Sequence, residues 1–207
     1  MEGVIYLIFI LVGSSGSGKT TIGEQFFGKY REIISFTTRD IRSGERDGID
    51  YFFLTEEEAL DKIRTNQVVE YTIYDSNYYG LLKNEFDKKS NTNCYAILDY
   101  SGYLNVKKEY PEETVGIFID IDKELVLQRM LARGDSKESI EKRLAIFDLE
   151  QKNKTKLEHI VLNNGDLQKT LKSFKKVVDK YISMWYSINV VKRYNFDMIF
   201  NLLYHLR

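Results

Sequence analysis

The run Gly13-Ser14-Ser15-Gly16-Ser17-Gly18-Lys19-Thr20 constrains this chain more than any other stretch, because of what flanks it. Residues 4–12 before it are apolar and read as a buried strand. Thr21-Ile22-Gly23-Glu24-Gln25-Phe26-Phe27 after it read as the first turns of a helix. The pattern is G-x-x-x-x-G-K-[ST] in the strand-to-helix context it requires. The glycines let the backbone curl until successive N–H groups face one point, and the helix N-terminus adds its dipole. The result is a pocket for the β-phosphate of a nucleotide. In that reading residues 13–21 line an ATP site, Lys19 reaches the β/γ oxygens, and the Thr20 hydroxyl holds Mg2+. A glycine- and serine-rich turn that merely matches the pattern is the alternative, and both flanks argue against it.

The rest of the chain alternates strand-like with helix-like runs, which predicts a parallel α/β sheet. Core strands are expected at 4–12, 33–36, 94–98, 115–119 and 159–162. Helices are expected at 19–27, 83–89, 104–109, 123–131, 137–154 and 166–186. The last should place Leu167, Leu171, Phe174, Val178, Tyr181, Ile182 and Trp185 on one face, with Asp166 as its N-cap. With 207 residues, 43% of them hydrophobic, one domain can bury a full core. A net charge of −1 gives no basic field for long nucleic acid, so any anion site must be built locally. The single cysteine, Cys94, excludes an intrachain disulfide and sits in an apolar run, which marks it as a core residue. The apolar start lacks a basic flank and is too short to span a bilayer. It reads as a first strand rather than a signal peptide, and the expected location is the cytoplasm.

Residues 35–80 break the alternation. Short strand-like pieces at 50–54, 68–74 and 78–80 surround a probable helix at 55–65, and Asp75-Ser76-Asn77 suggests a hairpin turn. This is the signature of a small subdomain inserted into the parallel core. Within it, Arg39 and Arg42 lie three apart, with tyrosine hydroxyls at Tyr51 and Tyr79. Arginine forks match pairs of phosphate oxygens, so these groups can converge on one phosphate. On the residues alone, an exposed polar loop with incidental arginines remains an equal alternative.

Several stretches together resemble the guanylate kinases. They are the phosphate loop, S-F-T-T-R-x-x-R-x-G-E-x-D-G-x-D-Y-F-F beginning at Ser35, Glu70, Asn77-Tyr78-Tyr79-Gly80, Leu98-Asp99, Arg129-Met130-Leu131-Ala132-Arg133-Gly134 and Arg143-Leu144. They stand in that family's order and spacing over about residues 4–182. The resemblance implies a three-layer P-loop NTPase-type parallel sheet flanked by helices, with an inserted mixed α/β monophosphate-binding subdomain and a helical lid. It implies a domain over 1–186, with core segments 1–34, 84–122 and 147–186, the subdomain at 35–83 and the lid at 123–146. An apolar extension follows at 187–207. The implied reaction transfers the γ-phosphoryl of ATP to GMP or dGMP, with Mg2+ as cofactor. By resemblance, Arg39, Arg42, Tyr51 and Tyr79 grip the GMP phosphate, and Ser35 and Glu70 read the base. Asp99 lies near the phosphates and Mg2+, with a cap or ion pair as its alternative role. Arg129, Arg133 and Arg143 close over the triphosphate, and their alternative is surface pairing with Glu124, Glu138 or Glu141. Lys19, Arg42, Arg133 and Arg143 are the expected catalytic set. The partners implied are ATP and GMP, with no membrane and no long nucleic acid, in a monomer or homodimer.

Four departures from the family pattern stand out. Leu81 occupies a position usually Ser or Thr, and Ser101 one usually Asp; both changes remove polar contacts from the expected base pocket. The lid loop between Arg133 and Arg143 is one residue shorter than usual, and Asp40-Ile41 replace the usual prolines. Each lost hydrogen bond costs about 0.5–1.5 kcal/mol. A monophosphate kinase with altered base choice is therefore one alternative; a catalytically silent guanylate-kinase-like binding module is another, against which the intact phosphate loop argues. The extension at 187–207 lies beyond the resemblance. Val190, Val191, Tyr194, Phe196, Ile199 and Leu202 make it apolar, so it is expected to pack on its own core or form a dimer contact.

Overall fold

The computed structural model describes residues 6–89 and 92–204, with side chains described to residue 188. In chain order the first elements are β1 (Ile8–Val12), α1 (Lys19–Phe27), β2 (Phe36–Thr37), β3 (Phe52–Phe53), α2 (Glu56–Arg64), β4 (Val68–Tyr74), β5 (Asn77–Leu82) and α3 (Lys83–Lys89). There follow β6 (Cys94–Ile97), α4 (Tyr100–Glu109), β7 (Thr114–Asp120), α5 (Lys123–Ala132), α6 (Lys137–Gln151), β8 (His159–Leu162) and α7 (Leu167–Tyr204).

The core is a parallel sheet in the order β6-β1-β7-β8. Every residue of β1 is buried, as a strand covered on both faces requires. Alternation along the strand divides the core in two. Leu7, Phe9 and Leu11 pack with Ile22 and Phe27 of α1 and Phe174 and Val178 of α7. Ile8, Ile10 and Val12 pack with Phe86 of α3 and Tyr103 and Val106 of α4. Three layers result. The apolar face expected of α7 lies in the first of these clusters, and Asp166 accepts from the backbone N–H of Gln168 and Lys169, as an N-cap does. Cys94 is a buried free thiol whose pKa desolvation pushes up to about 12, in keeping with a core role. Among the described residues no helix is long and apolar enough to cross a membrane.

Three expectations need correction. Residues 33–36 are not a core strand. Ile33 N donates to Tyr95 O and Glu32 forms a lone bridge with Tyr95. The chain then crosses to a second sheet, so the core has four strands among the described residues. Helix α4 begins at Tyr100 rather than 104, because the Asp99 carboxylate accepts from Gly102 N at 2.7 Å and caps it there. Helix α7 does not stop near 186 but runs to Tyr204. Side chains of 189–207 lie outside the described residues, as do Val4 and Ile5 of the expected first strand, so the packing expected of the extension does too.

The second sheet, β3-β2-β5-β4, carries the inserted segment. β2 pairs parallel with β3 and antiparallel with β5. The β4–β5 hairpin turns through Asp75 (φ 49°) and Ser76 (φ 61°), where the sequence placed it. A bulge in β4 between Val68 and Glu70 shifts the register, and Glu70 is the one fully buried residue of that strand.

Candidate active site

The chain leaves β1 at its carboxyl end and turns through Gly13 (φ 144°), Gly16 (φ 83°) and Gly18 (φ 91°). At two of these positions only glycine fits. A Cβ on Gly13 would lie 2.5 Å from Ile119 O of β7, and one on Gly18 2.4 Å from Asn163 Nδ2. Lys19 Nζ donates to Gly13 O (2.5 Å) and Ser14 O (2.9 Å), closing the loop on itself. Burial lowers its pKa to about 8, against the opposing pull of the Glu150 carboxylate. The Ser14 and Ser17 hydroxyls are buried without a partner among the described residues. A cavity of about 510 Å³ opens over this loop, bounded by Ser15, Gly16, Gly18, Lys19, Thr20 and Thr21 on one side and by Arg129, Arg133 and Asn163 on the other. Arg129 of α5 reaches down to Gly16 O (3.1 Å) and Asn163 O (3.4 Å).

A second cavity of about 640 Å³ lies between the two sheets and α6. Tyr79, Asp99, Ser101, Arg143 and Glu150 line it, with Ile73 and Tyr74 of β4 facing Ile146 and Leu149 of α6. Ser15 lines both cavities, so the two spaces adjoin at the phosphate loop.

Of the inserted segment's residues, Arg39, Tyr51 and Tyr79 are brought together. The Arg39 guanidinium lies 5.4 Å from the Tyr51 ring centroid, and the Tyr51 and Tyr79 rings are 6.2 Å apart. Glu45 holds Arg39 through two 2.9 Å bonds and raises its pKa. Arg42 is not part of this group: its side chain is exposed and lines neither cavity, although its backbone N–H donates to Glu45. Of the residues expected at the acceptor site, Tyr79 and Asp99 line the cavity, while Ser35, Arg39, Tyr51 and Glu70 lie off its lining. Glu70 is 5% exposed, and a Cβ on Gly102 would stand 3.1 Å from its Oε2, so glycine at the start of α4 makes room for that carboxylate. Desolvation first, and the Asp99 charge second, push the Glu70 pKa up to about 8. Leu81 faces away from the cavity into the core beside Ile8, Ile10 and Val12. Asp99 caps α4, the alternative role weighed for it, and also borders the cavity.

The lid arginines pair differently from expectation. Neither Glu124, Glu138 nor Glu141 binds them; Arg133 and Arg143 both donate to Asp135, in the turn between α5 and α6. Glu150 was not singled out from the sequence. Its pKa rises to about 7 through desolvation, with Lys19 opposing and Asp99 adding to the rise. Asn163 was missed as well. It donates to Ser17 O at 2.7 Å and accepts from the Thr170 hydroxyl at 3.1 Å, tying the phosphate loop to the end of β8. The faint signal was Asn163-Asn164-Gly165, polar residues directly after a core strand on the phosphate-loop edge.

A divalent cation fits one part of this arrangement. Among the described residues no group of three or more His, Cys, Asp or Glu could hold a metal. Mg2+ needs no such cage, because it keeps waters and takes substrate phosphate oxygens with one or two protein ligands. The exposed Thr20, on the first turn of α1 and on the wall of the phosphate-loop cavity, supplies such a ligand.

Comparison with known proteins agrees with this architecture. The family model described as guanylate kinase matches residues 7–181. The guanylate kinase of Mycoplasma genitalium is 34% identical over 179 residues, covering 83% of this chain and 74% of that protein. The guanylate kinase of Fusobacterium nucleatum is 33% identical over 162 residues, covering 76% and 88%. The crystal structure of guanylate kinase from Anaplasma phagocytophilum superposes with a TM-score of 0.67 at 22% identity, over 87% of this chain and 88% of that one, and shares the fold.

Proposed function

The chain belongs to the guanylate kinase family, and from that premise we propose that it transfers the γ-phosphoryl group of ATP to GMP, giving ADP and GDP. The observation that carries this reading is the pair of cavities adjoining at Ser15, one over the phosphate loop and one against the inserted sheet. A donor in the first and an acceptor in the second would meet at that junction, the proximity an in-line transfer needs.

Each residue then has a task. The loop's backbone N–H groups and Lys19 hold the donor phosphates, with Thr21 at the rim. Thr20, together with the nucleotide's phosphate oxygens, would hold Mg2+, which would supply partial neutralisation of the triphosphate charge. Arg129, Arg133 and Arg143 oppose the negative charge on the equatorial oxygens of the transferring group. The cluster of Arg39, Tyr51 and Tyr79 supports a grip on the acceptor phosphate; Arg42 is assigned to it by family resemblance. Glu70 accepts the N1–H and N2–H donors of guanine, beside Ser35. Adenine lacks both donors, and leaving a buried carboxylate unpaired discriminates strongly. The acceptor phosphate is ionised at neutral pH, so no general base is assigned. The inserted segment 35–83 and the lid 123–146 act as units that close on the core and exclude water. We assign dGMP as a second acceptor and a cytoplasmic monomer or homodimer as the working form.

Lys19→Met tests the reading, because it removes the loop's own cation; a melting temperature measured alongside separates loss of that charge from loss of the two bonds Lys19 makes to Gly13 and Ser14. Turnover of ATP and GMP should fall by about 100-fold or more, the scale of a lost transition-state donor. Full turnover in that variant contradicts it.

A further inference from the structure

Asp135 stands at the elbow of the lid, and its backbone is pinned on both sides. Arg133 ends α5, Gly134 turns the chain at φ 79°, and Asp135 N donates to Met130 O at 3.1 Å. The next residue, Ser136, caps α6 by accepting from Ser139 N. From this fixed point the carboxylate accepts from Arg133 Nε (2.9 Å) and Nη2 (2.5 Å), and its Oδ2 also accepts from Arg143 Nη1 (2.9 Å). The Asp135 side chain is 14% exposed although that of Arg133 is 54% exposed. An isolated exposed ion pair contributes little, but a shared, largely covered carboxylate with a bidentate fork defines geometry.

The two arginines do not serve the same space. Arg133 lines the phosphate-loop cavity and Arg143 the cavity against the inserted sheet. One carboxylate therefore ties a donor-side cation to an acceptor-side cation. Among the described residues, Arg133 Nη1 and Arg143 Nε and Nη2 make no hydrogen bond and are available for phosphate oxygens, since an arginine carries five N–H donors.

We infer that Asp135 is a positioning residue for phosphoryl transfer, holding Arg133 and Arg143 as one cationic unit that meets the transferring group from both sides. The inference rests on the kinase reading above. Its physical basis is entropic: long arginine side chains lose much rotamer freedom when they engage a ligand, and Asp135 freezes them in advance. The benefit belongs to the transition state, where both cations act together, so it appears in kcat rather than in GMP affinity.

The test is a double-mutant cycle in steady-state kinetics with ATP, Mg2+ and GMP, with melting temperatures measured alongside. D135N should melt near the wild type, lose about 10- to 100-fold in kcat, and change the KM for GMP by less than about threefold. D135E, whose carboxylate is displaced by one methylene, should fall between. On an Arg143→Lys background, D135N should add less than about threefold further loss, because the unit is already broken. An unchanged or higher kcat in D135N overturns the inference; a higher one would show that Asp135 competes with phosphate for the arginines. Losses that multiply in the double variant overturn it too. If D135N fails to fold, D135E carries the cycle, and an unchanged kcat there is equally fatal. A wild-type chain with no GMP turnover overturns the kinase reading and the inference with it; an active wild type with unaffected variants overturns the inference alone.

Discussion

Glu70 is buried against Gly102 with its pKa raised to about 8, so near pH 7 the free protein holds it mostly protonated. Accepting two guanine donors requires the ionised form. The sign follows: GMP binding releases a proton, and kcat/KM for GMP rises with pH until Glu70 has titrated. Between pH 7 and 8.5 the ionised fraction grows about eightfold for a group of that pKa. With ATP and Mg2+ saturating, so that the bound phosphates keep Lys19 charged although burial lowers its pKa to about 8 in the free protein, a pH profile of kcat/KM for GMP should show this rise and level off above it, and Glu70→Gln should lose it along with most GMP affinity. A flat wild-type profile across that range contradicts the assignment. Lys19 was legible from the phosphate-loop pattern, and Arg39, Tyr51 and Tyr79, which the structure brings together, from the family resemblance of two further stretches. Their charge partners were not. Glu45 and Asp135 pair with arginines across loops rather than along a helix face, so no i,i+4 rule exposes them. Glu150 and Asn163 reach the site from distant elements, which only the fold aligns.

At the level of elements, helix α1 shows why a local rule can reverse its sign. Gly23 lies mid-helix, where alanine ordinarily stabilises by about 0.4–1 kcal/mol. Here a Cβ would stand 2.3 Å from Tyr95 Cε2, inside the aromatic cluster of Phe9, Phe27 and Tyr95. Gly23→Ala should therefore destabilise by about 1–3 kcal/mol through overpacking. In a domain of this size that lowers the melting temperature by roughly 2–12 °C. A melting temperature at or above wild type would mean that α1 does not sit this close to β6. The strand preceding the phosphate loop was readable as an unbroken apolar run, the β4–β5 hairpin from its turn residues Asp75-Ser76-Asn77, and the buried face of α7 from its sustained helical period. Residues 33–36 were misread for a physical reason. Ile33 is buried in the parallel core while Phe36 is buried in the second sheet. An apolar run that bridges two cores has the composition of a strand without its ladder.

Across the whole molecule, the proposed transfer requires two cavities to act as one site. The phosphate-loop space and the space against the inserted sheet meet at Ser15, with arginines from the lid on both sides. A bisubstrate ligand joining adenosine to guanosine through an oligophosphate should exploit that junction, since its second half binds at high effective concentration. At about 100 times its dissociation constant such a ligand adds about 2.7 kcal/mol of stability. It should raise the melting temperature further than ATP and GMP supplied together at the same concentration. Equal shifts would mean the cavities work separately. The central claim is phosphoryl transfer to a guanine monophosphate despite Leu81 and Ser101. Leu81 is packed in the core and takes no part in base choice, Ser101 borders the cavity, and the proposed reading gives recognition of the base to Glu70 and Ser35. The most direct measurement is ADP formation from ATP and Mg2+ with GMP, dGMP, AMP, UMP and CMP in parallel. The account predicts strong turnover confined to GMP and dGMP; equal or greater turnover of another monophosphate, or none with any of them, would contradict it.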